Sequence, residues 1–253
     1  MFHSFVSRCK KHFRRGLNSV LSLLFPKYCC VCGKRLVSTE EHTCVACLAH
    51  LPLTKFKGEK GNAVERSLWD AQICTEHASA FLFYHQHSVY SRIYFSFKYC
   101  YHPEVAVDYG RMMAQDLVGT VFFDGIDVIV PVPLSAKRFR KRGYNQSERL
   151  AAGVSQITGL PVEQRAVVRV VDNPTQTRLS TAERMENVKG IFQLVNPSCV
   201  SGKHVLLVDD VITTGSTLRA CAHALLEAGN VKLSVLTLGT SERNRRYVFP
   251  RSE

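Results

Sequence analysis

The stretch Val205-Leu206-Leu207-Val208-Asp209-Asp210-Val211-Ile212-Thr213-Thr214-Gly215-Ser216-Thr217 decides the fold class. It reads as an apolar strand, a carboxylate pair, a hydroxyl-rich turn and a helix start. Two adjacent acids just past a buried strand are costly unless hydroxyls or cations meet them, and a sugar diol or a metal supplies that need. Thr213 to Thr217 offers backbone N–H groups, hydroxyls and a permissive glycine at the positive end of a helix, which is a phosphate cradle. Diol and phosphate together describe a ribose 5-phosphate. A Walker loop is excluded because no lysine follows Gly215, and no G-x-G-x-x-G occurs. The blander alternative has Asp210 flanking a helix that the threonines cap, and it accounts for fewer of these elements in their order.

Outward from this stretch the pattern is α/β. Residues 205–208 and 233–238 are apolar runs separated by a helix over 216–228 that Gly229 ends. Upstream, residues 78–84 predict a strand and 89–98 an aromatic-rich helix. Residues 104–118 predict an amphipathic helix, with Val105, Tyr109, Met112, Met113 and Leu117 at helical spacing. A short apolar run over 127–130, closed by Pro131 and Pro133, fits a buried strand, and 144–157 a helix. Alternating strands and helices predict a doubly wound parallel sheet flanked by helices, with sites at the carboxyl ends of its strands. The pair His85 and His87 has no evident third ligand and reads as exposed, and His102 as a turn residue.

Composition excludes two classes. Of 253 residues, 45% are hydrophobic and 21% charged, which are globular values, and no run of eighteen apolar residues exists to cross a bilayer. The net charge of +12 is concentrated in residues 1–60 and 134–149. Such blocks attract the phosphates of a nucleotide, a polynucleotide or a lipid surface, or form a solvated face.

Four of the ten cysteines, Cys29, Cys32, Cys44 and Cys47, form two C-x2-C knuckles eleven residues apart. Each knuckle aims two thiolates at one point, so the four complete the shell of a structural Zn²⁺. Cys30 and His42 are close enough to substitute, while Cys9, Cys74, Cys100, Cys199 and Cys221 show no paired spacing. Two disulfides would require export. The apolar run 17–25 follows Arg14 and Arg15 but meets Pro26, Lys27 and Tyr28 rather than a small-residue cleavage site, and its spacing suits an amphipathic helix. The expected compartment is therefore the reduced cytoplasm. The chain divides into a basic amphipathic segment (1–28), a four-cysteine finger with a glycine-containing linker (29–60), an α/β domain (61–240) and a basic tail (241–253).

Two further segments bear on anions. After the strand over 127–130 come Ser135, Ala136, Lys137, Arg138, Arg140, Lys141 and Arg142, whose cations could neutralise a diphosphate or simply start a basic helix. The polar stretch 173–187 carries Gln176, Arg178 and Arg184, donors that a mobile loop could close over a phosphate site; an ordinary exposed loop is the alternative.

Residues 205–217 closely resemble the motif by which type I phosphoribosyltransferases bind 5-phosphoribosyl 1-diphosphate (PRPP). The resemblance implies that Asp209 and Asp210 contact the ribose hydroxyls, that Thr213, Thr214, Gly215, Ser216 and Thr217 grip the 5-phosphate, and that Ser135, Ala136, Lys137 and Arg142 meet the diphosphate, with Mg²⁺ accompanying the ligand. Adding the knuckles, Arg142-Gly143-Tyr144-Asn145-Gln146 and the 173–187 stretch, the chain from Cys29 to Gly239 resembles the ComF family of competence-associated phosphoribosyltransferase-like proteins. That implies a part in natural transformation, handling incoming single-stranded DNA in the cytoplasm beside competence-machinery proteins. An alternative is an active phosphoribosyltransferase, with Asp209 and Asp210 catalytic, acting on a nucleobase or amine. A DNA-binding role would draw on Lys10, Lys11, Arg14 and Arg15 with Phe2, Phe5, Phe13 and Tyr28, and on the aromatics of 84–101, most of which are expected in the core.

Overall fold

A computed structural model of the chain describes residues 26–70, 73–171 and 190–241, in two compact units divided after Leu51. In the first unit, Tyr28 and Arg35 pair in an antiparallel bridge around a turn in which Gly33 takes φ +74. A five-residue helix, α1 (Val45–Ala49), follows with Cys44 at its amino cap.

The described part of the second unit runs α2 (Ala63–Asp70), β1 (His77–Tyr84), α3 (Ser91–Tyr99), α4 (Pro103–Leu117), β2 (Val128–Pro131), α5 (Ala136–Arg142) and α6 (Gln146–Thr158). It continues with β3 (Val167–Arg169), β4 (Phe192–Leu194), β5 (His204–Ile212), α7 (Ser216–Leu226) and β6 (Lys232–Ser241). Strands β1, β6, β5 and β2 form one parallel sheet in that spatial order, and β3 and β4 a small antiparallel pair.

The central strands are apolar along their length because helices cover both faces. Val205 and Leu207 of β5 and Leu233 and Val235 of β6 join Leu218, Cys221, Ala222 and Leu225 of α7 in one core. Elsewhere α4 and α6 touch backbone to backbone: a Cβ at Gly110 would lie 2.2 Å from the Leu150 carbonyl oxygen, and one at Gly153 2.1 Å from that of Val107. Any side chain there would force the helices apart.

Both sheet edges are covered, which limits pairing with other chains. Along β2, the Ile129 amide donates to Pro161 and its carbonyl accepts from Glu163. Along β1, Leu53 bridges Leu82, Thr54 donates to Phe81 at 2.9 Å and Phe83 donates to Pro52 at 2.7 Å. The 51–61 stretch, expected as a linker, thus in part seals an edge, with Thr54 and Phe56 buried. Its lysines mislead: Lys55 and Lys57 adopt positive φ in turns between the buried residues. No helix among the described residues is long and apolar enough to cross a membrane.

Candidate functional site

Strand β5 outruns its apolar core. It pairs with β6 through Ile212, so Asp209 and Asp210 belong to the strand rather than to a turn after it. Neighbouring strand residues project to opposite sides, and the two carboxylates accordingly meet different helices. Asp209 Oδ1 accepts from Ser147 Oγ at 2.9 Å and from the Asp210 amide at 2.8 Å. Ser147 lies in the first turn of α6. Asn145 caps that helix by accepting from the Ser147 amide at 3.1 Å, while its Nδ2 donates to the Val132 carbonyl at 3.0 Å, tying the helix start to the end of β2.

Asp210 forms an ion pair with Lys98 Nζ of α3, both side chains about four-fifths buried. Burial first, and the Asp210 charge second, push the Asp209 carboxyl up to about 7, against the pull of the Asp210 amide, Ser147 and Lys98. Near neutral pH the Asp209 carboxyl therefore exchanges its proton readily.

The delivery of Lys98 depends on a glycine. Tyr94, one turn earlier on α3, is buried with its Oη against Gly239 of β6, where a Cβ would lie 2.1 Å from that oxygen. Only glycine lets α3 settle there. The Tyr94 hydroxyl has no hydrogen-bond partner, and Lys98 Nζ sits 5.8 Å from the centroid of its ring.

Past β5, Thr213 and Thr214 are exposed, and Gly215 caps α7 in the left-handed region at φ +72. Thr214 Oγ1 and Ser216 Oγ are 3.2 Å apart. The turn presents its hydroxyls and the amino end of an eleven-residue helix on the side of the sheet where the acids lie.

Past β2, the basic segment is a seven-residue helix, α5, in line with the basic-helix expectation for it. Ser135 is buried as its cap and accepts from the Arg138 amide at 3.4 Å, so a good capping residue followed by helix formers starts the helix here. Ala136 and Lys137 are exposed at its start. Arg142 is at the far end, its guanidinium carbon 5.4 Å from the Tyr99 ring centroid, and is not gathered with them. Gln176, Arg178 and Arg184 lie outside the described residues, as do Arg14, Arg15 and the aromatics before Tyr28; the stems of the 173–187 stretch are β3 and β4.

In the first unit, the sulfurs of Cys29, Cys32, Cys44 and Cys47 all lie within 4.8 Å of one another, with Cys32 and Cys44 3.7 Å apart. Four thiolates on a tetrahedral ion with ligand bonds of about 2.3 Å stand about 3.8 Å apart, so the set fits such an ion. Burial alone would raise the Cys29 thiol, but amide donors at Cys32, Cys44 and Val31 outweigh it and bring it down to about 7. Cys30 is outside the four: its sulfur lies 3.3 Å from Thr43 Oγ1, and burial pushes its thiol up to about 11. His42 is likewise not among them. His85 and His87 sit exposed on the turn after β1, where the His87 amide donates to His85 Nδ1.

Sequence reasoning missed Lys98, Tyr94, Gly239 and Ser147. Ser147 directly follows the Arg142 to Gln146 run and could have been found from it. Lys98 sits among core aromatics and carries no local signal.

A family model for the phosphoribosyl transferase domain matches residues 106–252. The DNA utilization protein YhgH of Salmonella typhi is 35% identical over 144 residues, which are 56% of this chain and 63% of that one. Competence protein F of Haemophilus influenzae is 39% identical over 43% of this chain and 48% of its own, and Competence protein ComFC of Bacillus subtilis 35% identical over 43% and 42%. The match thus spans less than two thirds of each relative. Among solved structures, the glutamine PRPP amidotransferase of B. subtilis complexed with ADP and GMP superposes with a TM-score of 0.38 at 28% identity, over 53% of this chain and 26% of that one. The chain belongs to the phosphoribosyl transferase domain family and is ComFC-like.

Proposed function

We propose that this protein binds PRPP with Mg²⁺ at the carboxyl end of β5 and supports natural competence by handling incoming single-stranded DNA in the cytoplasm. The observation that carries the reading is the buried Asp209 and part-buried Asp210 followed by the Gly215 turn, one continuous segment with acceptors for a diol and donors for a phosphate. Asp209 and Asp210 accept from the ribose hydroxyls; Thr213, Thr214, Ser216 and Thr217 with the α7 amides hold the 5-phosphate. Ser135, Ala136, Lys137 and Arg142 are the candidate diphosphate contacts, and Gln176, Arg178 and Arg184 the candidate donors of a closing loop. Mg²⁺, bound with the ligand, would neutralise diphosphate charge. Zn²⁺ on Cys29, Cys32, Cys44 and Cys47 would hold the first unit together, since so small a unit has little core of its own. The names of the relatives support the DNA and competence part of the reading, and competence-machinery proteins are the partners it suggests.

Calorimetric titration of PRPP with Mg²⁺ tests it, using wild type and the Asp209→Asn/Asp210→Asn double variant, with diphosphate release followed on the same samples. Binding by wild type and at least 100-fold weakening in the variant is expected. No binding by wild type sinks the site. Release that requires single-stranded DNA or a nucleobase would establish an enzyme, and binding without release a ligand-responsive DNA-handling protein.

A further inference from the structure

Helix α3 is two-faced. Ile93, Tyr94 and Phe97 point into the core, whereas Phe95 is 55% exposed and Tyr99 52% exposed. The outward pair is spaced by four residues, so the rings stand side by side with centroids 5.1 Å apart. The expectation that aromatics of 84–101 serve mainly as core holds for the inner face alone.

Helix α5 abuts this outer face. Arg142 lies over the Tyr99 ring, and Tyr101 Oη donates to the Lys141 carbonyl at 3.1 Å. Five of the seven α5 residues are Lys or Arg and none is acidic, and Phe139 is 46% exposed among them. Tyr101 is 68% exposed and held at φ +57, a conformation that is costly for a bulky residue. Backbone strain that presents a large ring to solvent marks a position selected for what the ring meets.

We infer that the outer face of α3 together with α5 is a stacking platform for single-stranded nucleic acid, with bases on Phe95, Tyr99 and Tyr101 and phosphates along the α5 cations. The inference rests on the nucleic-acid part of the function proposed above and assigns it a surface. Charge complementarity selects the partner. Five cations with no acid on one short helix, set beside exposed rings, suit a polyanion that also offers flat π faces. A duplex offers the polyanion but keeps its base faces stacked inside, so the rings discriminate for single strands. Because Ser135 caps α5 and Lys98 of α3 pairs with Asp210, the platform adjoins the candidate PRPP site.

The test is fluorescence anisotropy of a labelled oligothymidylate, titrated with full-length wild type, Phe95→Ala/Tyr99→Ala and Tyr101→Gly across a range of salt concentrations. A stacked base contributes roughly 1–3 kcal/mol, so the double variant should bind at least tenfold more weakly. Its dependence of log affinity on log salt should match wild type, because no phosphate contact is removed. Duplex binding should be unchanged. Tyr101→Gly relieves the left-handed strain, so it should bind the strand more weakly while unfolding at higher denaturant, a pairing of signs that a purely structural role would not produce. Equal binding by wild type and the double variant overturns the platform while leaving single-strand binding intact. No binding by wild type overturns the DNA reading itself, whatever PRPP does. Wild type that sediments as a dimer, with the double variant a monomer, overturns the platform by making this face a self-interface.

Discussion

The two ends of the parallel sheet bury polar groups to opposite effect. At the amino end, His204 closes a local circuit: its amide donates to Asp127 Oδ2 at 2.8 Å, its Nε2 lies 2.9 Å from Ser234 Oγ, and that hydroxyl accepts from the His77 amide at 3.2 Å. Ser234 is fully buried, and the exceptions to satisfaction at this end, among the described residues, are His77 Nδ1 and Thr75 Oγ1. A cavity of about 350 Å³ there is lined by Glu76, His77, Asp124, Asp127, Lys203 and Lys232, with charges of both signs. At the carboxyl end, two acids stand side by side and their partners come from 112 residues upstream in Lys98 and 62 upstream in Ser147. The amino end is polarity in the service of the fold; the carboxyl end keeps a buried carboxyl pushed up to about 7 beside a second acid, a perturbation of the kind that sites carry.

The sharpest way to break this contrast is Gly239→Ala. Its Cβ meets Tyr94 Oη, and overpacking of this kind costs about 1–3 kcal/mol or more. Because Gly239 pairs with Val211, next to Asp210 on β5, strain at this contact reaches the acids as well as α3, and PRPP binding should fall at least tenfold with the loss of stability, more than removal of the Lys98 charge alone would cause. Adding Tyr94→Phe removes the clashing oxygen and should restore part of both, as read by urea unfolding and calorimetry. Stability lost with ligand affinity intact would separate α3 from the site.

Ser234→Ala is the counterpart at the other end. It orphans His204 Nε2 and the His77 amide, so a cost of about 1–3 kcal/mol is expected. PRPP affinity should not change. A weakened titration would mean that the two ends are coupled through β5 and β6.

These contrasts also mark what the sequence could disclose. Apolar runs and their alternation with helices disclosed the parallel sheet, and the 205–217 segment disclosed its acids, since strand, carboxylates and turn are contiguous. The four cysteines were legible because ligand spacing is local. Lys98 and Gly239 were not, because their meaning lies in a contact between α3 and β6 that no periodicity reports. The 51–61 stretch was misread in part for a related reason: Lys55, Lys57 and Lys60 look solvated, while Thr54 and Phe56, beside Lys55, are buried. Segment 135–142 left a diphosphate-binding run and a basic helix start both open, and its cap makes it a helix.

Acid titration should resolve the two ends by slope. Burial lowers His204 and His77 below their ordinary 6.5, so their unfolded forms hold more protons, and stability is lost as pH falls through and below that value. Burial raises Asp209 from its ordinary 3.8 to about 7, so its folded form holds more protons, and stability is gained as pH falls across that interval. Denaturant midpoints measured from pH 8 to 5 should show Asp209→Asn more stable than wild type at pH 8, with the difference shrinking toward pH 5. A difference that grows on acidification would reverse the assignment.

The smallest effect belongs to Lys98→Met, which keeps the aliphatic stem over Tyr94 and deletes only the charge. Lys98 lowers the proton affinity of Asp209, so without it the carboxyl titrates at still higher pH. Carboxylates must be ionised to accept from ribose hydroxyls, and Mg²⁺-PRPP binding should therefore show its half-maximal pH displaced upward in the variant. Well above that pH, affinity should approach wild type, since both carboxylates are then ionised in the variant as well and no ligand contact has been removed. A uniform loss at every pH would instead make Lys98 a direct ligand contact, released from Asp210 when PRPP arrives, and the ion pair would then be a resting state of the site rather than its electrostatic support.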